Sequence, residues 1–355
     1  MSMKTRQSFL CLCLALSPAV MAGQTVQPEM AEFIFESAPF ASAHASTIVE
    51  TREGLAAAWF GGTREGAKDV GIWFSRRVGG KWTAPVEVAT GVQLDARFPT
   101  WNPVLFELRK GELALFYKVG PNPREWWGMV RTSEDEGRTW SAVRQLPKGI
   151  LGPIKNKPVR LADGTIIAPS STETPQTPST WRIHFERSRD NGATWSVSRP
   201  PAGVASRPPA SADGTPIDAI QPSILTHGGG RLQAIGRSRS GRVFETWSAD
   251  GGQTWTPVTL TELPNPSAGT DAVTLRDGRH LLVYNHTPKG RTPLNVALTR
   301  DGKTWETVHV LESEPGEYSY PAIIQTTDGL VHITYTWRRE RIKHVVIDPA
   351  KLKNR

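Results

Sequence analysis

Six strand-like runs in this chain each open on a polar residue: His44-Ala45, Asn102-Pro103, Lys157-Pro158, Gln221-Pro222, Asp271-Ala272 and Tyr320-Pro321. A phenol can attack or donate a proton, an imidazole can titrate near neutrality, and an amide or ammonium can orient both. Six such groups in register would line one polar site; the alternative is a solvated turn surface. A second set falls in the turns that follow: Glu65, Lys68 and Asp69, then Arg237, Arg239 and Arg291. Carboxyl groups there can serve acid–base chemistry, and guanidinium groups can hold a carboxylate through paired hydrogen bonds.

What must position these residues is an internal repeat. Ser133-Glu-Asp135-Glu-Gly137-Arg-Thr-Trp140 recurs at Ser188–Trp195 and Ser248–Trp255, in a shortened form at Thr299–Trp305 and in a degenerate form at Ser75–Trp82. Successive Trp residues at 82, 140, 195, 255 and 305 stand 58, 55, 60 and 50 residues apart. That is the length of four short strands with their connections. Asp and Gly predict a tight turn, with Asp bonding nearby amides and Gly taking positive φ, and the Trp can pack beneath. A second repeat places a Gly turn between two strands, as at Asp163-Gly164, Asp277-Gly278 and Asp328-Gly329. Six units begin near residues 44, 102, 157, 221, 271 and 320, and long amphipathic helical periodicity is absent. Radial closure of six four-stranded sheets predicts an all-β, six-bladed β-propeller, with Phe33-Ile34-Phe35 completing the last blade. A β-sandwich gives no reason for the period.

Composition narrows the function classes. With 38 % hydrophobic and 21 % charged residues the chain can bury a core. Residues 1–22 carry Lys4 and Arg6, then an apolar stretch and Val20-Met21-Ala22, a pattern expected of a secretory signal peptide. Residues 23–355 are then a single propeller domain, exported to the periplasm or outside the cell. Both cysteines, Cys11 and Cys13, fall in the leader, so thiol chemistry and disulfides are excluded from the remainder. Loss of Lys4 and Arg6 takes the formal charge from +8 to +6. A basic exported chain suits an acidic glycan. No basic run supports nucleic acid, no later apolar run is long enough to span a membrane, and no ligand spacing predicts a metal or other cofactor. Oligomeric state is left open.

The Ser-x-Asp-x-Gly-x-Thr-Trp repeats are similar to the Asp boxes of sialidases, and the resemblance runs from about residue 35 to 347. It implies a catalytic tyrosine opening the last blade, which matches Tyr320, eight residues before Asp328-Gly329. It implies an acid/base aspartate on the first-blade loop, matching Asp69, and carboxylate-binding arginines, matching Arg237 and Arg291. Two positions depart. Gln221 stands where the glutamate that activates the tyrosine is expected, and His44 where the first arginine is expected. An amide cannot act as a general base. The chain therefore resembles a divergent sialidase-like branch with BNR-type repeats.

The resemblance implies an exo-glycosidase that hydrolyses terminal acidic sugars of sialic acid type, with Tyr320 as nucleophile, Asp69 as acid, Gln221 orienting Tyr320, and Lys157 or His44 assisting its ionisation. Arg237 and Arg291 would hold the substrate carboxylate, with Arg239, Asn102, Asp271 and Glu65 as further binding groups. Two other readings stay open. One is a propeller lyase or glycosidase on uronate-containing polysaccharide. The other is a non-catalytic glycan-binding propeller.

Overall fold

Each Asp-Gly turn folds back on itself for a local reason. Asp163 Oδ1 accepts the Thr165 amide at 2.9 Å, Asp277 Oδ1 the Arg279 amide at 3.0 Å, and Asp328 Oδ1 the Leu330 amide at 3.0 Å. The glycine beside each aspartate takes φ of 84°, 83° and 90°, which a side chain would resist. Hairpins of alternating residues grow from these turns and stack into sheets. The computed structural model describes residues 27–201 and 216–352. The expected leader, residues 1–22, lies outside the described residues.

Six antiparallel sheets follow in chain order and make a six-bladed β-propeller. Their innermost strands are Ser42–Thr51, Thr100–Arg109, Val159–Arg160, Ala219–Thr226, Asp271–Thr274 and Tyr318–Gln325. The first blade carries its outer strand in two pieces, Lys81–Trp82 and Val86–Ala89, both paired with Gly71–Val78. The third has only a two-residue innermost strand. The strand that completes the last blade is Met30–Phe33, three residues earlier than Phe33–Phe35 suggested; Ile34 and Phe35 instead enter the core. This closure is also polar. Glu32 Oε1 accepts Arg77 Nε at 3.0 Å and Trp82 Nε1 at 2.9 Å from the first blade, and lies 3.0 Å from His344 Nδ1 of the last.

The core lies between neighbouring blades. Leu281, Val283, Val296 and Leu298 of the fifth blade pack with Ile323, Ile333 and Val345 of the sixth, all fully buried or nearly so. Each strand alternates so that both faces of a blade meet an adjacent blade, which buries apolar residues on both sides of the sheet.

The hairpin pattern sets two faces. Turns joining the first and second strands, and the third and fourth, lie on one side. Loops joining the second and third strands lie on the other, beside the starts of the innermost strands. Backbone contacts confirm this second side: Thr100 N donates to Val70 O at 3.2 Å, Tyr318 N to Arg291 O at 3.3 Å, and Ala43 N to Arg339 O at 2.8 Å. The Asp boxes therefore occupy the face opposite the strand starts.

Candidate active site

Four innermost strands do not enter their sheets smoothly. The pairing slips by one residue between His44 and Thr47, across Trp101–Val104, between Ile220 and Ser223, and between Ser319 and Ala322. At each bulge one non-glycine residue takes positive φ: Ala45 at 55°, Asn102 at 33°, Gln221 at 57° and Tyr320 at 50°. Such a conformation costs on the order of 1–3 kcal/mol and persists only where the surroundings enforce it. A bulge re-aims side chains, here toward the axis. The sequence alignment needs one correction from this geometry. Ala45, not His44, is the equivalent of Asn102, Gln221 and Tyr320; His44 lies one residue earlier, paired with Phe60.

The bulges still gather His44, Gln221 and Tyr320. Arg237 Nη1 donates to Tyr320 Oη at 2.9 Å, and Gln221 Nε2 reaches the same oxygen at 3.4 Å. Arg237 Nη1 also approaches Gln221 Oε1 at 3.4 Å. The His44 ring lies 4.2 Å from the Tyr320 ring, centre to centre. Gly269 leaves room for that phenol, because a Cβ there would stand 3.2 Å from Tyr320 Cδ2. Trp181 backs Arg237, with the guanidinium 5.0 Å from the indole centre.

Polar atoms at this site are buried without protein partners: Arg237 Nε, Arg291 Nη1 and His44 Nε2. Buried donors are normally satisfied, and the three side chains border Tyr320: Arg237 bonds its oxygen, His44 packs on its ring, and Arg291 interacts with it electrostatically. Burial pushes the His44 pKa well below 6.5, and the charges of Arg339, Arg291, Lys155 and Arg237 push the same way. His44 is thus a neutral ring at pH 7, with Nδ1 2.9 Å from Thr336 Oγ1. It cannot replace an arginine as a cation, but it can accept a proton. Burial also lowers the pKa of Arg291.

Other expected residues are placed differently. Asp69 is exposed on the loop after Gly62, where Thr63 donates to its Oδ2 from Oγ1 at 2.5 Å and from the amide at 2.8 Å. Those bonds hold its pKa below the usual carboxylate value. Glu65, on the same loop, pairs with Arg339 at 2.5 Å. Asn102 occupies the equivalent bend of the second blade and is 5 % exposed. Arg239 points outward, stacked 4.0 Å from the Trp181 ring centre and paired with Asp218 at 2.9 Å.

Lys157, expected to contact substrate or to assist Tyr320, and Asp271, expected to contact substrate, are bonded to each other at 2.9 Å. Lys157 Nζ also donates to Ala272 O at 2.8 Å, and Asp271 accepts Ser223 Oγ and the Ile323 amide, each at 2.9 Å. Their bonds join four blades, so they act as an inter-blade lock.

Three residues escaped the sequence reading. Arg339 lies between Glu317 at 2.6 Å and Glu65, and its charge is the one that most depresses His44 after burial. It sits on the second-to-third-strand loop of the last blade. The rule that selected Glu65 and Arg291 from such loops would have found it, had it been extended to the sixth. Glu317 immediately precedes the Tyr320 strand. Lys155, two residues before Lys157, is buried at the axis, and no local pattern marks it.

The chain matches the BNR repeat-like domain family over residues 53–333. No curated protein matches it in sequence. Solved structures do match in fold. A Dyadobacter fermentans protein of unknown function superposes with a TM-score of 0.71 at 19 % identity, covering 90 % of this chain and 98 % of that one. The Hadza microbial sialidase Hz136 gives 0.70 at 17 %, covering 88 % and 66 %. The NanB sialidase of Streptococcus pneumoniae gives 0.69 at 13 %, covering 91 % and 71 %. At these identities the structures share a fold, and a shared propeller does not define a reaction. By the extent of its family match and its repeats, this chain belongs to the BNR repeat-like domain family, with a six-bladed propeller fold that solved sialidases share.

Proposed function

We propose that this protein is an exported exo-glycosidase that removes a terminal acidic sugar, of sialic acid type, from glycans. The observation that carries this reading is the pair of arginines at Tyr320: Arg237 bonded to the phenol oxygen, and Arg291 with a buried Nη1 that has no protein partner. A sugar carboxylate would satisfy both guanidinium groups and bring the anomeric carbon over Tyr320 Oη. Tyr320 attacks that carbon, the glycosidic bond breaks, and the phenol proton passes to His44, whose basicity rises as the bound carboxylate offsets the charges of Arg237 and Arg291. Arg237 stabilises the charge that develops on the phenol oxygen. Asp69 gives the leaving oxygen a proton, which requires its carboxyl to be protonated first. Because Thr63 holds that carboxyl ionised, the reading predicts faster turnover at acidic pH. Water then cleaves the glycosyl-tyrosine bond.

A second reading draws on the absence, among the described residues, of any carboxylate bonded to Tyr320. A neutral imidazole beside a phenol supplies a base and an acid, which suits β-elimination on a uronate whose carboxylate the arginines neutralise. In that case His44 takes the proton α to the carboxylate, the C–O bond breaks, and Tyr320 protonates the leaving oxygen.

The test is aglycone release from a fluorogenic sialoside by the wild type and by Tyr320→Phe. Release by the wild type alone supports the glycosidase. No release from folded protein, with an unsaturated uronate appearing in polysaccharide digests, moves the assignment to a lyase. Binding of acidic glycan without turnover leaves a glycan-binding propeller.

A further inference from the structure

Lys155 is a buried ionisable group beside the site to which the proposed reaction gives no part. Its side chain is enclosed at the propeller axis, 3 % exposed, and Nζ meets three oxygens. They are Asn156 Oδ1 at 2.8 Å, Thr270 O at 3.0 Å and the carbonyl of Pro321. Three acceptors match the three N–H bonds of an ammonium group. Each acceptor has its own bearing on Tyr320. Pro321 directly follows it, at the bend where Tyr320 takes positive φ. Thr270 follows Gly269, whose missing Cβ admits the Tyr320 ring. Asn156 uses its Nδ2 to hold Gln221 O at 2.9 Å, at the second strained bend. Nζ also lies 5.8 Å from the centre of the Tyr320 ring.

We propose that Lys155 is a positioning residue for Tyr320, an axial ammonium that, with Asn156, holds the two bends aiming Tyr320 and Gln221 at the substrate. It touches neither substrate nor the phenol oxygen and acts through the Pro321 and Thr270 carbonyls. The proposal rests on the reading of Tyr320 as the reacting group. Burial pulls the lysine pKa down to about 7, opposed by Asp271 and assisted by Lys157 and Arg237. An amine that loses its third N–H leaves one carbonyl unheld, so the bend is sensitive to pH in the neutral range. Tyr320 also faces the guanidinium groups of Arg237 and Arg291, and His44, whose titration is held well below that range.

The experiment uses the full chain labelled with ζ-¹³C-tyrosine. There are five tyrosines, so the Tyr320 signal is assigned by its loss in Tyr320→Phe. In Lys155→Met the Tyr320 signal should move while those of Tyr117 and Tyr284 stay in place. On the fluorogenic sialoside or the uronate polysaccharide, kcat should fall about tenfold or more with KM little changed, the pattern of a misplaced reacting group. Lys155→Arg, which keeps charge and donors, should recover part of both. An unmoved Tyr320 signal with unchanged kcat overturns the proposal. If Lys155→Met does not fold, Lys155→Gln, which keeps most of the length and one donor group, is read by the same two measurements, and an unmoved Tyr320 signal with unchanged kcat again overturns the proposal. Should neither substrate turn over, the reading of Tyr320 as the reacting group fails on its own, while the resonance still reports whether Lys155 aims it.

Discussion

On one face of the propeller, Ser188 Oγ donates to Asp190 Oδ1 at 2.8 Å, Gly192 N to Ser188 Oγ at 2.7 Å, and Trp195 Nε1 to Gly192 O at 3.1 Å. The same three bonds recur around Ser248 and, with threonine in place of serine, around Thr299. On the opposite face no two strand starts make the same contacts. Tyr320 bonds an arginine from the fourth blade, Asp271 a lysine from the third, and His44 a threonine from the sixth. These Asp boxes close within eight residues, so the turn can be copied; in the Ser133 copy the serine bonds recur while Trp140 Nε1 has no partner among the described residues. The strand starts meet across the axis, so each depends on other blades. Repetition builds the frame, and its breakdown on one face builds the site.

Substitutions sharpen this contrast. The largest effect is expected at Tyr320→Phe, which removes one oxygen and should lower kcat about 10²–10⁴-fold with little change in melting temperature. Retained activity would end its role as nucleophile or acid. Arg291→Met should lower kcat/KM by roughly tenfold to a hundredfold, the worth of a charged hydrogen bond of about 1.5–3 kcal/mol. An equal loss on a substrate whose carboxylate has been esterified would argue against carboxylate binding.

Lys157→Met tests the other kind of axial contact. It leaves Asp271 buried without its cation, so denaturant unfolding should show a loss of about 3 kcal/mol. A raised KM with unchanged stability would return Lys157 to the substrate. The smallest effect belongs to an Asp box. Ser188→Ala should cost about 1 kcal/mol of stability and leave kcat unaltered.

Acidity separates the faces as well. Thr139 and Thr194 bonds hold Asp135 and Asp190 at about 2, below the ordinary 3.8. Stability from these turns is complete above pH 3.8 and is lost as pH falls through about 2. Burial instead lowers Lys118 and Lys155 from 10.5 to about 7. Between these values the unfolded chain binds more protons, so their contribution to stability should grow as pH rises from about 7 toward 10.5. Denaturation midpoints across that range, compared with Lys118→Met, would isolate one of the two.

The amino-acid sequence by itself determined the propeller, its six units and the turns that close them. Each of these is written in contiguous residues: an Asp that binds its own neighbours, a Gly that accepts positive φ, a Trp a few positions on. It also singled out Tyr320 and Gln221 through the repeating strand-start register, and Arg237 and Arg291 through the turns that follow and the resemblance they share with sialidases. It did not show that Lys157 and Asp271 pair with each other, since polar character at a strand start fits a ligand or another blade equally well. It passed over Lys155, which belongs to no local pattern, and Arg339, which lies on the same kind of loop as Glu65 and Arg291 in the sixth blade. Only the tertiary structure decided which of these charges neutralise one another across the axis and which remain free around the phenol. Those pairings join residues more than a hundred positions apart, as Lys157 joins Asp271 and Lys155 joins Pro321. No local spacing encodes such distances; closure of the ring creates them.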